Sequence, residues 1–167
     1  MMIVLGKGAQ GIIYKKNNRV IKKTNYTNNQ NIKKEYLCTL DINRRLFEHP
    51  YIIKVYNFYD DSYSMEYLEG YKELSLDYIN SLTQEQKNSI FNQLYQTIND
   101  LHHINYVHGD LRISENVMYN SNLDKIKLID FGYCKNLNGT DTKTALNLIR
   151  IDYKHLWDLR AKLSIHN

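Results

Sequence analysis

The chain has 167 residues, 43% hydrophobic and 24% charged, and Lys plus Arg at 22 against Asp plus Glu at 18 give a formal net charge of +4. That mixture suits one globular domain able to bury a substantial core, and its scattered, modest charge gives no reason to expect nucleic acid. No run of about 18 apolar residues is available to span a membrane, the start Met1-Met2-Ile3-Val4-Leu5-Gly6 lacks the regions of a secretory leader, and Cys38 and Cys134 stand far apart without metal-ligand or redox spacing, so reduced thiols, no disulfide scaffold and a cytoplasmic location are expected.

Ile3-Val4-Leu5, Ile12-Ile13-Tyr14 and Val20-Ile21, with a turn at Asn17-Asn18, predict a three-strand meander. The Asn-rich stretch from Thr24 to Asn31 predicts a solvated loop. Ile32, Tyr36, Leu40, Ile42 and Leu46 then recur at helical spacing, and His49-Pro50 closes that helix because the residue before proline avoids the helical region. Ile52 to Tyr59 and Tyr63 to Tyr67 predict two further strands, split by the turn-forming Asp60-Asp61-Ser62. Thr83 with Gln86 has the form of a capping box, and Ile90, Leu94, Ile98 and Leu101 continue one helical face from it. Tyr106-Val107, Val117-Met118-Tyr119 and Ile126 to Ile129 are short strands. A last helix is expected from Thr144 to Leu163 around Leu146, Ile149, Leu156 and Leu163, with Trp157 as a core anchor. Five strands and one helix followed by a mostly helical half make an α+β pattern. It divides into an N-lobe over about 1–68 and a C-lobe over about 69–167, with a cleft between them.

Leu5 to Ile13 places Gly6, Gly8 and Gly11 at G-x-G-x-x-G inside a strand-turn-strand, where missing side chains would let backbone amides approach phosphates. A dinucleotide-binding turn would open a helix at once, but Ile12-Ile13-Tyr14-Lys15 continues as strand, so a Rossmann reading fails. Glycines that merely serve a tight hairpin are the plain alternative. Further along stand Val20-Ile21-Lys22, Phe47-Glu48-His49-Pro50-Tyr51-Ile52-Ile53, Val107-His108-Gly109-Asp110-Leu111-Arg112-Ile113-Ser114-Glu115-Asn116 and Leu128-Ile129-Asp130-Phe131-Gly132. In order and separation these resemble the protein kinase family.

The resemblance implies a two-lobe kinase-like fold, with a five-stranded antiparallel N-lobe sheet, one αC helix and a truncated, mostly helical C-lobe. It places Lys22 on the α- and β-phosphates of ATP, paired with Glu35, the one acidic residue between Lys22 and Asp41. Lys23 would point the other way by strand alternation. Ser64 to Gly70 resembles the hinge, with Met65 as gatekeeper, the backbones of Glu66 and Leu68 on the adenine edge, and Val20 against the base. Asp110 would receive the hydroxyl proton, Asp130 and Asn116 would hold Mg2+, and Arg112 stands where the family has a lysine that steadies the transferred phosphate. His108 is expected as a buried spine residue beneath Phe131, and His102-His103 resembles the family's helix-end histidine. Asp152 is expected either on the catalytic-loop backbone or on a helix surface.

Several parts depart from the pattern. Lys22 follows Gly11 by eleven positions, which demands a very tight turn between the second and third strands. Five residues separate Asp110 from Asn116 where the family has four, so a bulge is expected, with Glu115 as the nearby substitute metal ligand. Pro50 is the sole proline, so no A-P-E motif follows Gly132, and the peptide-docking platform is expected to be absent. In these features the chain resembles atypical minimal kinases with an H-G-D loop, notably the small kinase of the KEOPS complex. Aminoglycoside-type phosphotransferases share the H-G-D pattern but need C-lobe insertions for which there is no room.

The resemblance thus implies an ATP- and magnesium-dependent kinase acting on a Ser/Thr hydroxyl of itself or of a protein partner or substrate. A partner-stimulated ATPase, a small-molecule phosphotransferase and a pseudokinase binding module remain as alternatives. So does an RNA-associated subunit using Lys15, Lys16, Arg19, Lys22 and Lys23 as a basic strip, although a solvated hairpin is the simpler reading of those residues. Gly109 stands where many family members carry an arginine that clamps a phosphate on the activation loop. Replacing Thr140, Thr142 and Thr144 together with alanine is therefore expected to leave phosphoryl transfer intact, and a large loss in a labelled-ATP assay would refute this.

Overall fold

Short β-branched runs separated by tight turns build the first half of the chain into a sheet. The structure, a computed structural model, describes residues 2–8, 11–25 and 30–164. β1 (Met2–Gly8), β2 (Gly11–Lys16) and β3 (Arg19–Thr24) form the expected antiparallel meander. Lys16 faces Arg19 across a two-residue turn in which Asn17 takes φ 56°, a left-handed conformation that asparagine tolerates better than most residues. This turn accommodates the short spacing between Gly11 and Lys22. After α1 (Gln30–Arg45), β4 (Val55–Phe58) and β5 (Ser62–Glu66) complete a five-stranded sheet of order β1-β2-β3-β5-β4.

The helix α1 begins inside the stretch expected to be a loop, and residues 26–29 of that stretch lie outside the described residues. The strand expected from Ile52 begins only at Val55. Ile52 and Ile53 instead run beside the other lobe, where Ile53 N–H donates to Leu128 O at 3.0 Å and Leu128 N–H to Tyr51 O at 2.7 Å. These backbone bonds join the lobes.

The second half contains β6 (Lys72–Glu73), α2 (Leu76–Ser81), α3 (Gln84–His103), β7 (Tyr106–Val107), α4 (Ile113–Asn116), β8 (Val117–Asn120), β9 (Lys125–Leu128), β10 (Lys135–Asn136) and α5 (Thr142–Lys162). Both reciprocal bonds of the Thr83/Gln86 capping box form. From that start Ile90, Leu94, Ile98 and Leu101 are fully buried in the main core. Leu156, Leu159 and Leu163 dock α5 against the same core. Trp157 corrects the expectation of a core anchor: one position past Leu156 turns it off the buried face, and it is 47% exposed, packed on Phe91 with its ring centroid 5.7 Å away. The sequence-predicted α+β architecture is the observed one.

The cysteines require a second correction. Cys38 on α1 and Cys134, which follows β9 by six residues, are joined as a disulfide across 96 positions of sequence. Packing of α1 against the segment after β9 brings them together, a proximity that sequence spacing cannot reveal, so reduced thiols no longer argue for a cytoplasmic location. Among the described residues no helix is long and apolar enough to cross a membrane.

Gly11 has a structural duty of its own. A Cβ at this position would lie 2.2 Å from the carbonyl oxygen of Lys23 on β3. Gly11→Ala is therefore expected to destabilise the ligand-free protein by about 1–3 kcal/mol, the usual cost of overpacking against backbone. Chemical denaturation without nucleotide checks this, and an unchanged midpoint would show that β3 can move aside.

Candidate active site

Strand alternation decides which of two adjacent lysines enters the interior. Lys22 is buried, whereas Lys23 turns outward to Asp61 at 2.9 Å. The Lys22 ammonium lies 2.7 Å from Glu35 Oε1 and 3.3 Å from Asp130 Oδ1. Tyr63, opposite Lys22 on β5, donates its hydroxyl to the same Glu35 oxygen at 2.6 Å. Burial opposes the Lys22 charge, but the two carboxylates more than offset it and hold its pKa above the ordinary lysine value. Burial, joined by the charge of Asp130, pushes Glu35 up from the usual carboxylate range, which pulls against the direction at Lys22. The Lys22 direction governs the pair, because one ammonium meets two carboxylates and Tyr63 adds a hydrogen bond to the charged form of Glu35.

These residues open onto a cleft of about 450 Å³ between the lobes. Leu5, Gly6 and Val20 line it from the sheet, Met118 and Ile129 from the other lobe, and Met65 stands at the β5 end. Glu66 and Leu68 also line it, whereas Gly11 does not; Gly8 ends the described part of β1. The Glu66 N–H donates to Lys54 O at 3.0 Å, and its carboxylate accepts from Lys54 N–H at 2.8 Å and Lys127 Nζ at 2.7 Å. The buried Lys127 thus ties the end of β5 to β9. Sequence reasoning found neither Tyr63 nor Lys127, although a lysine among the apolar residues of β9 was a usable signal.

Asp110, Arg112 and Asn116 gather beside the cleft. The additional residue before Asn116 is absorbed by the single turn of α4, with Asn116 N–H donating to Arg112 O at 2.8 Å. The Asn116 amide then donates to Asp110 O at 2.6 Å, and Ile129 N–H donates to Asn116 O at 2.9 Å. One asparagine therefore ties the Asp110 loop to the strand end that carries Asp130. Arg112 grips Asp110 bidentately at 2.8 and 2.9 Å and also reaches Glu115 at 3.1 Å. Its hydrogen bonds and charge hold the Asp110 carboxyl below the usual aspartate range.

Behind this loop, His108 is fully buried, edge-on to Phe131 with centroids 4.8 Å apart, and its Nε2 lies 3.1 Å from Ile129 O. Burial lowers its pKa, which favours the neutral ring of a packing residue. Asp152 of α5 is fully buried and accepts from the backbone N–H groups of His108 and Gly109, each at 2.9 Å, while His102 Nε2 lies 3.0 Å from it. Of the two expectations for Asp152, the loop contact is the observed one. Gly109 takes φ 79°, and a Cβ there would lie 2.7 Å from Tyr133 O. Glycine at this position allows the segment after Asp130 to cross the loop closely. Asp130 itself takes φ 59°, an uncommon conformation held by its bonds to Lys22 and to Gly132 N–H.

The donor set suits a hard cation. Asp130 presents a carboxylate to the cleft, and the Asn116 amide nitrogen is committed to Asp110, leaving its oxygen as the free end. Two such oxygens match the preference of Mg2+ for few protein ligands completed by phosphate and water. Asn116 does not line the cleft, whereas Glu115 does. The basic strip expected for RNA is not a single surface: Lys22 is buried, Lys23 is paired with Asp61, Lys15 lies over the Tyr67 ring at 3.7 Å and Arg19 over the Tyr56 ring at 4.2 Å.

Mitogen-activated protein kinase 15 of Caenorhabditis elegans is 28% identical over 154 residues, covering 82% of this chain and 32% of that protein. The serine/threonine-protein kinase shk1/pak1 of Schizosaccharomyces pombe is 29% identical over 154 residues, covering 84% and 22%. The chain thus spans about a third or less of the length of these relatives. The solved structure of the Cydia pomonella Granulovirus kinase, PK-1, aligns with a TM-score of 0.61 at 21% identity over 81% of this chain and 52% of that one, a likeness of fold. The protein kinase domain model matches residues 2–151. With the fold, the Lys22–Glu35–Asp130 contact and a family match across most of its length, the chain belongs to the protein kinase domain family.

Proposed function

We propose that residues 1–167 act as one minimal kinase domain that transfers the γ-phosphoryl group of ATP to a Ser or Thr hydroxyl, on itself or on a bound protein. The observation that carries this reading is the contact of Lys22 with both Glu35 and Asp130 at 2.7 and 3.3 Å, at the edge of an apolar cleft. The relatives from Caenorhabditis elegans and Schizosaccharomyces pombe support it, because both are protein kinases.

In this mechanism Gly6, Val20, Met65, Glu66 and Leu68 bind the nucleotide, the base lying between apolar walls against the hinge backbone. Gly8 contributes only backbone at the strand end, and Gly11 maintains the hairpin. Lys22, fixed by Glu35, orients the α- and β-phosphates. Asp130 with Asn116 would hold Mg2+, which would supply charge neutralisation at the phosphates. Asp110 accepts the proton of the acceptor hydroxyl as its oxygen bonds to the γ-phosphorus and the bond to the β-phosphate oxygen breaks, releasing ADP. Arg112, paired with Asp110 and Glu115 on an exposed face, steadies the phosphoryl group during transfer. A partner-stimulated ATPase is the second reading. Only residues 133–141 lie between Gly132 and α5, which leaves little chain for a peptide platform.

Incubation with labelled ATP and magnesium separates these readings. Wild type is expected to label a protein hydroxyl, while Asp130→Ala and Asp110→Asn lose the signal; phosphate release without labelled protein would select the ATPase, and nucleotide binding without turnover, unchanged by Asp110→Ala, would select the pseudokinase. A pH profile of the transfer tests Arg112. Since the folded pKa of Asp110 is depressed, its contribution to stability is present above the ordinary value of 3.8 and is lost as pH falls through the lower folded value. Arg112→Gln is expected to move the acid limb of kcat/KM to higher pH, and an unmoved limb would detach Arg112 from Asp110.

A further inference from the structure

The disulfide lies where a covalent tie acts on both carboxylates that hold Lys22. Cys38 follows Glu35 by three residues on α1, so the two share a face one helical turn apart. Cys134 follows Asp130 by four residues in a tight turn, where Gly132 N–H donates to Asp130 Oδ1 at 3.3 Å and Cys134 N–H to Phe131 O at 3.1 Å. The Cys38–Cys134 bond therefore joins the element that carries Glu35 to the one that carries Asp130. A further side-chain link from α1 to the same region is the contact of Asp41 with the Tyr106 hydroxyl at 2.5 Å, and Tyr106 pairs with Asn136 at 2.9 Å.

The pair is also reachable. Cys134 is 2% exposed, but Cys38 is half-buried and lies on a surface groove of about 620 Å³ lined by Leu37, Tyr106, Lys33, Lys34 and Lys135. Three lysines line the groove that contains Cys38, and their positive charge draws an anionic thiol to it. The groove lies outside the nucleotide cleft, so exchange at Cys38 and nucleotide binding use separate surfaces.

We propose that Cys38–Cys134 is a redox-modification site that takes a small anionic thiol of the glutathione class, with Cys38 as the attacked sulfur. The oxidised form holds α1 and the Asp130 segment in the arrangement that keeps Lys22 paired. In the forward step the thiolate of glutathione attacks Cys38 Sγ, a new S–S bond forms and the Cys38–Cys134 bond breaks, and Cys134 leaves as a thiolate that takes a proton from water. A second glutathione thiolate then attacks the glutathione sulfur, releasing Cys38 as a thiolate and forming glutathione disulfide. Two electrons pass from two glutathiones to the protein, and glutathione disulfide reverses the sequence as oxidant. The consequence for nucleotide binding rests on the kinase reading, whereas the exchange chemistry does not.

The test places the full chain in glutathione buffers of graded ratio and counts free thiols by intact mass. Wild type is expected to lose two thiols together as the buffer becomes oxidising, and Cys134→Ser to gain the mass of one glutathione, with peptide mapping placing it on Cys38. Amide exchange in α1 around Glu35 is expected to quicken on reduction of wild type and to be insensitive to redox state in Cys38→Ser. Affinity for a non-hydrolysable ATP analogue with magnesium is expected to fall on the order of tenfold on reduction, within the usual range for coupled sites. Thiols that stay free in oxidising buffer, glutathione that adds at Cys134 when Cys38 is replaced but not at Cys38, or an α1 exchange rate indifferent to redox state would overturn the proposal. If neither redox form binds nucleotide the kinase reading fails, and thiol counting and α1 exchange still decide the redox site.

Discussion

A single buried ammonium organises this protein. Lys22 reaches one carboxylate from α1 and one from the end of β9, elements separated by most of the chain, and each charge would be expensive to bury alone. The contact therefore fixes the helix, the sheet and the segment after β9 relative to one another. Tyr63 adds a hydrogen bond at Glu35, and Asp130 is kept in an uncommon backbone conformation by the bonds it makes. The disulfide joins the same two elements again by a covalent route.

The second organising device is a chain of hydrogen bonds between backbone and side chain in the other lobe. Asn116 links the Asp110 loop to the strand leading to Asp130, and Asp152 clamps the two N–H groups just before Asp110. Neither group sits at the cleft surface. They set the shape of a loop in which His108 and Leu111 are buried while Arg112 stays exposed, which is how an irregular segment can hold a fixed geometry without a regular ladder.

Much of this was legible in the residues. Motif residues fall in contiguous runs, so Lys22, Asp110 and Asp130 could be singled out in advance, and strand alternation separated Lys22 from Lys23. The capping box at Thr83 and Gln86 located the start of α3 because that signal is local. What stayed hidden depends on packing between distant segments. Cys38 meets Cys134, Lys127 meets Glu66, and Tyr63 meets Glu35 only once the lobes are assembled. Trp157 failed for a different reason: its size suggested a core anchor, whereas its place one residue past Leu156 sets it off the buried face of α5. The additional residue before Asn116 read as a disturbance, yet one turn of helix takes it up.

The clamp by Asp152 bears on how the protein is made. Synthesis runs from the N-terminus, and every residue that lines the cleft precedes position 152. A nascent chain halted just short of α5 would hold the cleft lining but lack the carboxylate that seats the His108 and Gly109 amides. The residues that line the cleft are thus all made before the carboxylate that seats the loop behind it.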